Sequence, residues 1–105
     1  MSYRFASGWN NITELQVYKI FRILFEKDFP RGLQSKFCKE LSKETKTLST
    51  GSISAKICNY KSIAGINRHS NASNNSKMIY EKYKNYSIIE LDNEINKLIQ
   101  GSMND

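Results

Sequence analysis

Between Asn11 and Phe29 the chain places Leu15, Tyr18, Phe21, Leu24, Phe25 and Phe29 on one face at a period near 3.6. A stripe that long and aromatic predicts the principal core helix, TELQVYKIFRILFEKDF, with Pro30 and Gly32 marking its end. Asn11 and Glu14 stand three apart in front of it as a capping box, and Thr13 with Gln16 offers a competing register.

The remaining segments must fold around that helix. A shorter helix is expected over 35–44 with Phe37, Cys38 and Leu41 inward, closed by Leu48. Another is expected over 51–60, where Ile53, Ile57 and Tyr60 repeat at i, i+4 and i+7 and Ser49, Thr50 or Ser52 can cap the start. Residues 61–75 read as a Gly-, Ser- and Asn-rich loop. A fourth helix over 75–85 carries Met78, Ile79, Tyr83 and Tyr86 toward the body. Ser87 and Glu90 form the best capping box in the chain, opening a helix over 87–100 with Leu91, Ile95, Leu98 and Ile99 inward and Gly101 at its end. One Pro, five Gly and few alternating apolar runs point away from a β fold. The expectation is an all-α, compact bundle of about five helices with helix-turn-helix character. It is one domain over 1–105, with 9–85 as a recognition core and 87–100 as the C-terminal helix.

Several function classes lose their chemistry at once. His69 is the only histidine, so neither a His₂ metal cluster nor a two-histidine nuclease centre can be assembled. No glycine-rich phosphate loop is present. Cys38 and Cys58 are too few for a disulfide scaffold or a zinc site, and both read as buried thiols beside apolar faces. Glu90 and Glu94 are better used by the cap and a solvated face than by acid–base chemistry. No enzyme, cofactor or metal is expected. No long apolar run offers a membrane span, and MSYRFASGWNN lacks a signal-peptide core, so a cytoplasmic location is expected.

Charge is unevenly spread. Thr45–Tyr80 holds five cations (Lys46, Lys56, Lys61, Arg68 and Lys77) and no acid, whereas Asn85–Asp105 holds four acids and Lys97. A positive field over the middle of the chain favours a polyanion. The helix over 51–60 lies within it. Its small first residues permit close approach to a phosphate, and Asn, Lys and Ser can all reach base edges. The candidate DNA contacts are therefore Ser52, Ser54, Lys56 and Asn59 toward bases or phosphates, with Lys46, Lys61, Arg68 and Lys77 on the backbone. The plainer alternative is a short connecting helix whose Ser and Lys face water, with Asn59 capping its end.

Residues Ser49 to Ile63, STGSISAKICNYKSI, also resemble the helical region that precedes HNH domains in restriction-endonuclease-like proteins. There a Ser-rich start leads into K-x-x-N-[FY]-x-[SA]-[IL], matched here by Lys56, Asn59, Tyr60, Ser62 and Ile63. Trp9 and Glu14 stand ahead of Tyr18 much as a Trp and an acid precede an aromatic helix in that family. The similarity spans roughly 9–85. The family's Gly-Arg pair has no counterpart here, and neither does its nuclease half. The resemblance therefore implies a double-stranded DNA-recognition module without cutting machinery in a restriction-modification setting. Because a lone module this small buries limited DNA surface, it is expected to act as a homodimer or beside a larger nuclease or regulator. From a different class, a small protein-interaction module fits the same composition, for example a phage- or plasmid-encoded inhibitor of a nucleic-acid-binding defence complex. RNA binding through stacked tyrosines ranks behind both, because most tyrosines fall at core spacing.

Overall fold

A computed structural model describes residues 8–66 and 74–103. Among them the chain forms five helices and no strand, an all-α bundle: α1 (Asn11–Glu26), α2 (Leu33–Thr45), α3 (Thr50–Ile63), α4 (Asn74–Tyr83) and α5 (Ile88–Met103). None is long and apolar enough to cross a membrane.

α1 is the axis, and each of the other four helices packs on it. Its cap lies one residue earlier than the expected Asn11–Glu14 box. Asn10 Oδ1 accepts from the N–H groups of Ile12 and Thr13 at 2.9 and 3.0 Å, and Thr13 Oγ1 accepts from the Asn10 N–H at 2.9 Å. Glu14 is thereby released from capping, and its side chain is fully buried. Leu15, Val17, Tyr18, Phe21 and Leu24 are buried beside it, whereas Phe25 is 50% exposed, not inward as its spacing suggested. Beyond Glu26 the chain reverses through Asp28 and Phe29, both at positive φ, before Pro30.

α2 and α3 form an antiparallel pair. Gln34, at the start of α2, reaches Ser54 and Lys61 of α3, while Lys39 further along α2 faces Thr50 and Gly51. The turn between them is closed by Lys46, which at φ 60° donates its N–H to Ser42 O. Ser42 Oγ donates to Leu48 O at 2.7 Å, and Leu48 is buried as expected. Gly8 sits tightly against this turn. Its φ is +84°, and a Cβ there would lie 3.0 Å from both Leu48 Cδ2 and Thr47 O, so the lead into α1 needs glycine at that point.

Ser49 caps α3 by accepting from the Ser52 N–H at 3.0 Å. The helix continues to Ile63, past the expected end near Tyr60, because Ile63 and Ala64 still find apolar surface. The expected loop is thus shortened at both ends, since α4 begins at Asn74. α4 in turn stops at Tyr83. Arg22 of α1 donates to the Tyr83 and Lys84 carbonyls at 3.3 Å each, satisfying acceptors that the helix end leaves unpaired. Met78 is 56% exposed instead of inward. The Ser87–Glu90 box forms as predicted, with N–H donations of 3.1 and 3.0 Å. Gly101 lies inside the last turn of α5 and does not terminate it.

Candidate nucleic-acid interface

The buried carboxylate of Glu14 organises the centre of the molecule. Tyr60 of α3 donates its hydroxyl to Glu14 Oε2 at 2.8 Å. Lys56 Nζ and Ser76 Oγ each lie 3.3 Å from Oε1, and Lys56 also donates to Ser76 Oγ at 3.3 Å. The Lys56 ammonium sits 4.6 Å from the centre of the Trp9 ring, and its side chain is only 12% exposed. Around this polar knot Tyr60 packs edge-on to Tyr18 at 5.1 Å and beside Phe21 at 5.8 Å. Burial pushes the Tyr18 hydroxyl above its ordinary pKa, and the hydrogen bond from Arg22 offsets part of that rise. Every oxygen of Glu14 is therefore matched with a donor, which is what burial of a charge requires.

This geometry explains part of the K-x-x-N-[FY] pattern in physical terms. Lys56 and Tyr60 stand at i and i+4 on α3, and both end on Glu14. Lys56 is therefore a brace holding α1, α3 and α4 together, not an outward reader of bases. The sequence suggests an outward lysine because a position at the edge of the apolar stripe fits either direction.

Two more of the sequence-predicted contacts turn sideways. Gln34 Nε2 donates to Ser54 Oγ at 3.0 Å, and Lys61 Nζ donates to Gln34 Oε1 at 3.3 Å while lying 4.6 Å from the Phe29 ring centre. On a helix turning about 100° per residue, Ile53, Ile57 and Tyr60 span an arc of about 60°. Lys56 flanks that arc on one side, and Ser54 and Lys61 flank it on the other. What remains outward is Gly51, Ser52, Ala55 and Cys58, all exposed, with Asn59 and Ser62 half-buried on the same side. Contrary to the expectation of a buried thiol, Cys58 lies on this outer face, and only Cys38 is buried. Burial pushes the Cys38 thiol above its ordinary pKa.

Of the candidate backbone contacts, Lys46 and Lys77 are exposed, and Arg68 lies outside the described residues. Three further lysines stand with Glu40 on the mixed charged outer side of α2. Lys36, Lys39 and Lys43 are exposed on α2, with Lys39 bordering the cleft that also holds Thr50 and Gly51. Their spacing of three and four is visible in the sequence, but only the α2–α3 pairing shows that Lys39 reaches the edge of α3. Glu40 stands four residues after Lys36 and three before Lys43, so acids and cations share the outer side of α2. Glu40 and Glu44 line a groove between α1, α2 and α5 together with Asp92, which is paired with Lys19. The outer face of α3 therefore carries small and polar groups without a carboxylate, and Lys39 borders it.

Among the described residues no group of three His, Cys, Asp or Glu side chains could hold a metal ion. No protein family matches this chain, and neither a curated protein nor a solved structure is similar to it.

Proposed function

We propose that this domain binds double-stranded DNA through the outer face of α3, and that it has no nuclease activity of its own. The observation that carries this reading is the outer face of α3, where Gly51, Ser52, Ala55 and Asn59 stand without a carboxylate, with Lys39 of α2 bordering the cleft beside Thr50 and Gly51 and Lys46 exposed at the turn. Gly51, Ser52 and Ala55 let the helix come close to the groove, Ser52 and Asn59 supply hydrogen bonds to base edges, and the lysines neutralise phosphates. Lys77 reaches the backbone from α4. Lys56, Ser54 and Lys61 serve the reading indirectly, by holding α3 in place. A single module of this size covers about 600–1,000 Å² of DNA, so a second copy or a larger nuclease or regulator supplies the rest of the site.

Fluorescence anisotropy with duplex DNA over a salt series tests the idea. Phosphate contacts from Lys39, Lys46 and Lys77 give a slope of log Kobs against log salt of about −2.7, and Lys39→Ala and Lys46→Ala each reduce it by about 0.9. Bound duplex should also protect the Cys58 thiol from maleimide. Absence of binding at about 50 mM salt, or binding that ignores salt, refutes the proposal.

One observation favours a second reading, a protein-interaction module. A groove of about 610 Å³ between α1, α4 and α5 is lined by Leu15, Met78, Ile79, Tyr83 and Leu98, and Met78 is 56% exposed there. Specific co-purification of a protein that is lost on Met78→Glu, without affinity for DNA, would install that reading in place of the first.

A further inference from the structure

The apolar stripe of α3 is too narrow to set the helix's rotation by itself. Ile53, Ile57 and Tyr60 are fully buried, yet they occupy an arc of only about 60°. A small roll of the helix keeps them in the core at little cost in buried area. The same roll draws Lys56 away from Glu14, leaving a fully buried carboxylate short of a donor. It also separates Ser54 and Lys61 from Gln34 on the opposite flank. Polar contacts with strict distance requirements thus stand on both sides of a permissive apolar strip.

We propose that Glu14 and Gln34 are positioning residues for DNA recognition, Glu14 acting through Lys56 and Tyr60, and Gln34 through Ser54 and Lys61. Together they hold α3 at the one rotation that turns Ser52, Ala55 and Asn59 outward. The inference rests on the DNA-binding reading above. A side-chain tip lies about 5–6 Å from the helix axis, so a roll of about 20° moves it by about 2 Å, enough to break a hydrogen bond to a base. Neither Glu14 nor Gln34 needs to touch DNA for this to operate. A buried ionic group used in this way specifies conformation more than stability, since well-packed apolar replacements of a buried pair are often neutral.

The test uses the full chain with two variants, the double replacement Glu14→Leu/Lys56→Met and the single replacement Gln34→Ala. Each is examined by far-UV circular dichroism, amide NMR and affinity for the tightest duplex that the wild type selects from a random-sequence pool. Helical content should be retained. The amide resonances of Ser52, Ala55 and Asn59 should shift, although none of these residues makes a hydrogen bond to a replaced side chain, and affinity should fall tenfold or more. If the double variant does not fold, Gln34→Ala carries the test alone. A folded variant whose outer-face amides keep their wild-type resonances overturns the proposal, and so does one whose amides move while affinity stays within twofold. If the wild type binds no DNA, the DNA-binding reading falls, and the inference that rests on it falls too; the amide shifts then report only whether these contacts set the helix's rotation.

Discussion

Replacing Lys56 with Ala should unfold this protein at a markedly lower temperature, and the size of the effect follows from where the ammonium sits. Glu14 is fully buried, and Lys56 is its only ion-pair partner among the described residues. Removing one member of a buried pair costs about 3–5 kcal/mol, because the remaining charge is left uncompensated. Two features place Lys56→Ala at the lower end. The Tyr60 hydroxyl and Ser76 Oγ still serve the carboxylate at 2.8 and 3.3 Å, and the lysine side chain retains 12% exposure, so water can enter the vacated space. The expectation is therefore about 3 kcal/mol. For 105 residues, an unfolding entropy of about 2.1 cal/mol/K per residue gives about 0.22 kcal/mol/K, so Tm should drop by about 14 °C. An outward lysine that met only DNA would behave differently, with Tm moving by about 2 °C or less, as expected for Lys46→Ala. Thermal and urea denaturation followed by far-UV circular dichroism measure both. A double-mutant cycle with Glu14→Leu should return a coupling above about 2 kcal/mol, because the leucine removes the charge that makes Lys56→Ala costly. A Tm shift of about 2 °C or less for Lys56→Ala, or additive effects in the cycle, would refute the argument that the pair is buried and mutually dependent.

Three further outcomes follow from the same geometry. Asn10→Ala removes the acceptor for two α1 N–H groups and should cost about 1 kcal/mol in urea unfolding, whereas Asn11→Ala, at the register the sequence first suggests, should cost little. The hydrogen bonds at Ser87 hold the Glu90 carboxyl below its ordinary pKa. Its stabilising effect is thus present above the unfolded-state pKa and lost as pH falls through the folded one, so the difference in urea midpoint between wild type and Glu90→Gln should shrink on acidification. With a thiol reagent, exposed Cys58 should react at once and buried Cys38 only on unfolding. Two equally fast thiols in the folded protein would show that α2 does not turn Cys38 into the core as described.

How much of this could be read from residues alone depends on the range of the interaction concerned. The α1 stripe and the Ser87–Glu90 box are local patterns, and both were legible because neighbours three or four residues apart determine them. Glu14 was half legible. It stands at i−4 from Tyr18 and i−7 from Phe21, in the middle of an aromatic face, and a carboxylate in that position must find buried partners. Its offset of three from Asn11 offered a cheaper explanation, capping, that the true cap at Asn10 removes. Lys56 was not legible as a brace. Its carboxylate partner lies 42 residues away, and a lysine at the margin of an apolar strip can extend to solvent or fold back with equal stereochemical ease. Ser54 and Lys61 share that ambiguity, resolved only by Gln34 on another helix. The positions of Ser52 and Asn59 away from the apolar stripe follow from helical spacing alone, whereas the contacts that flank the stripe lie on other helices. The orientation of α3 is in this sense specified from behind, by contacts from α1, α2 and α4 that no motif confined to α3 can encode.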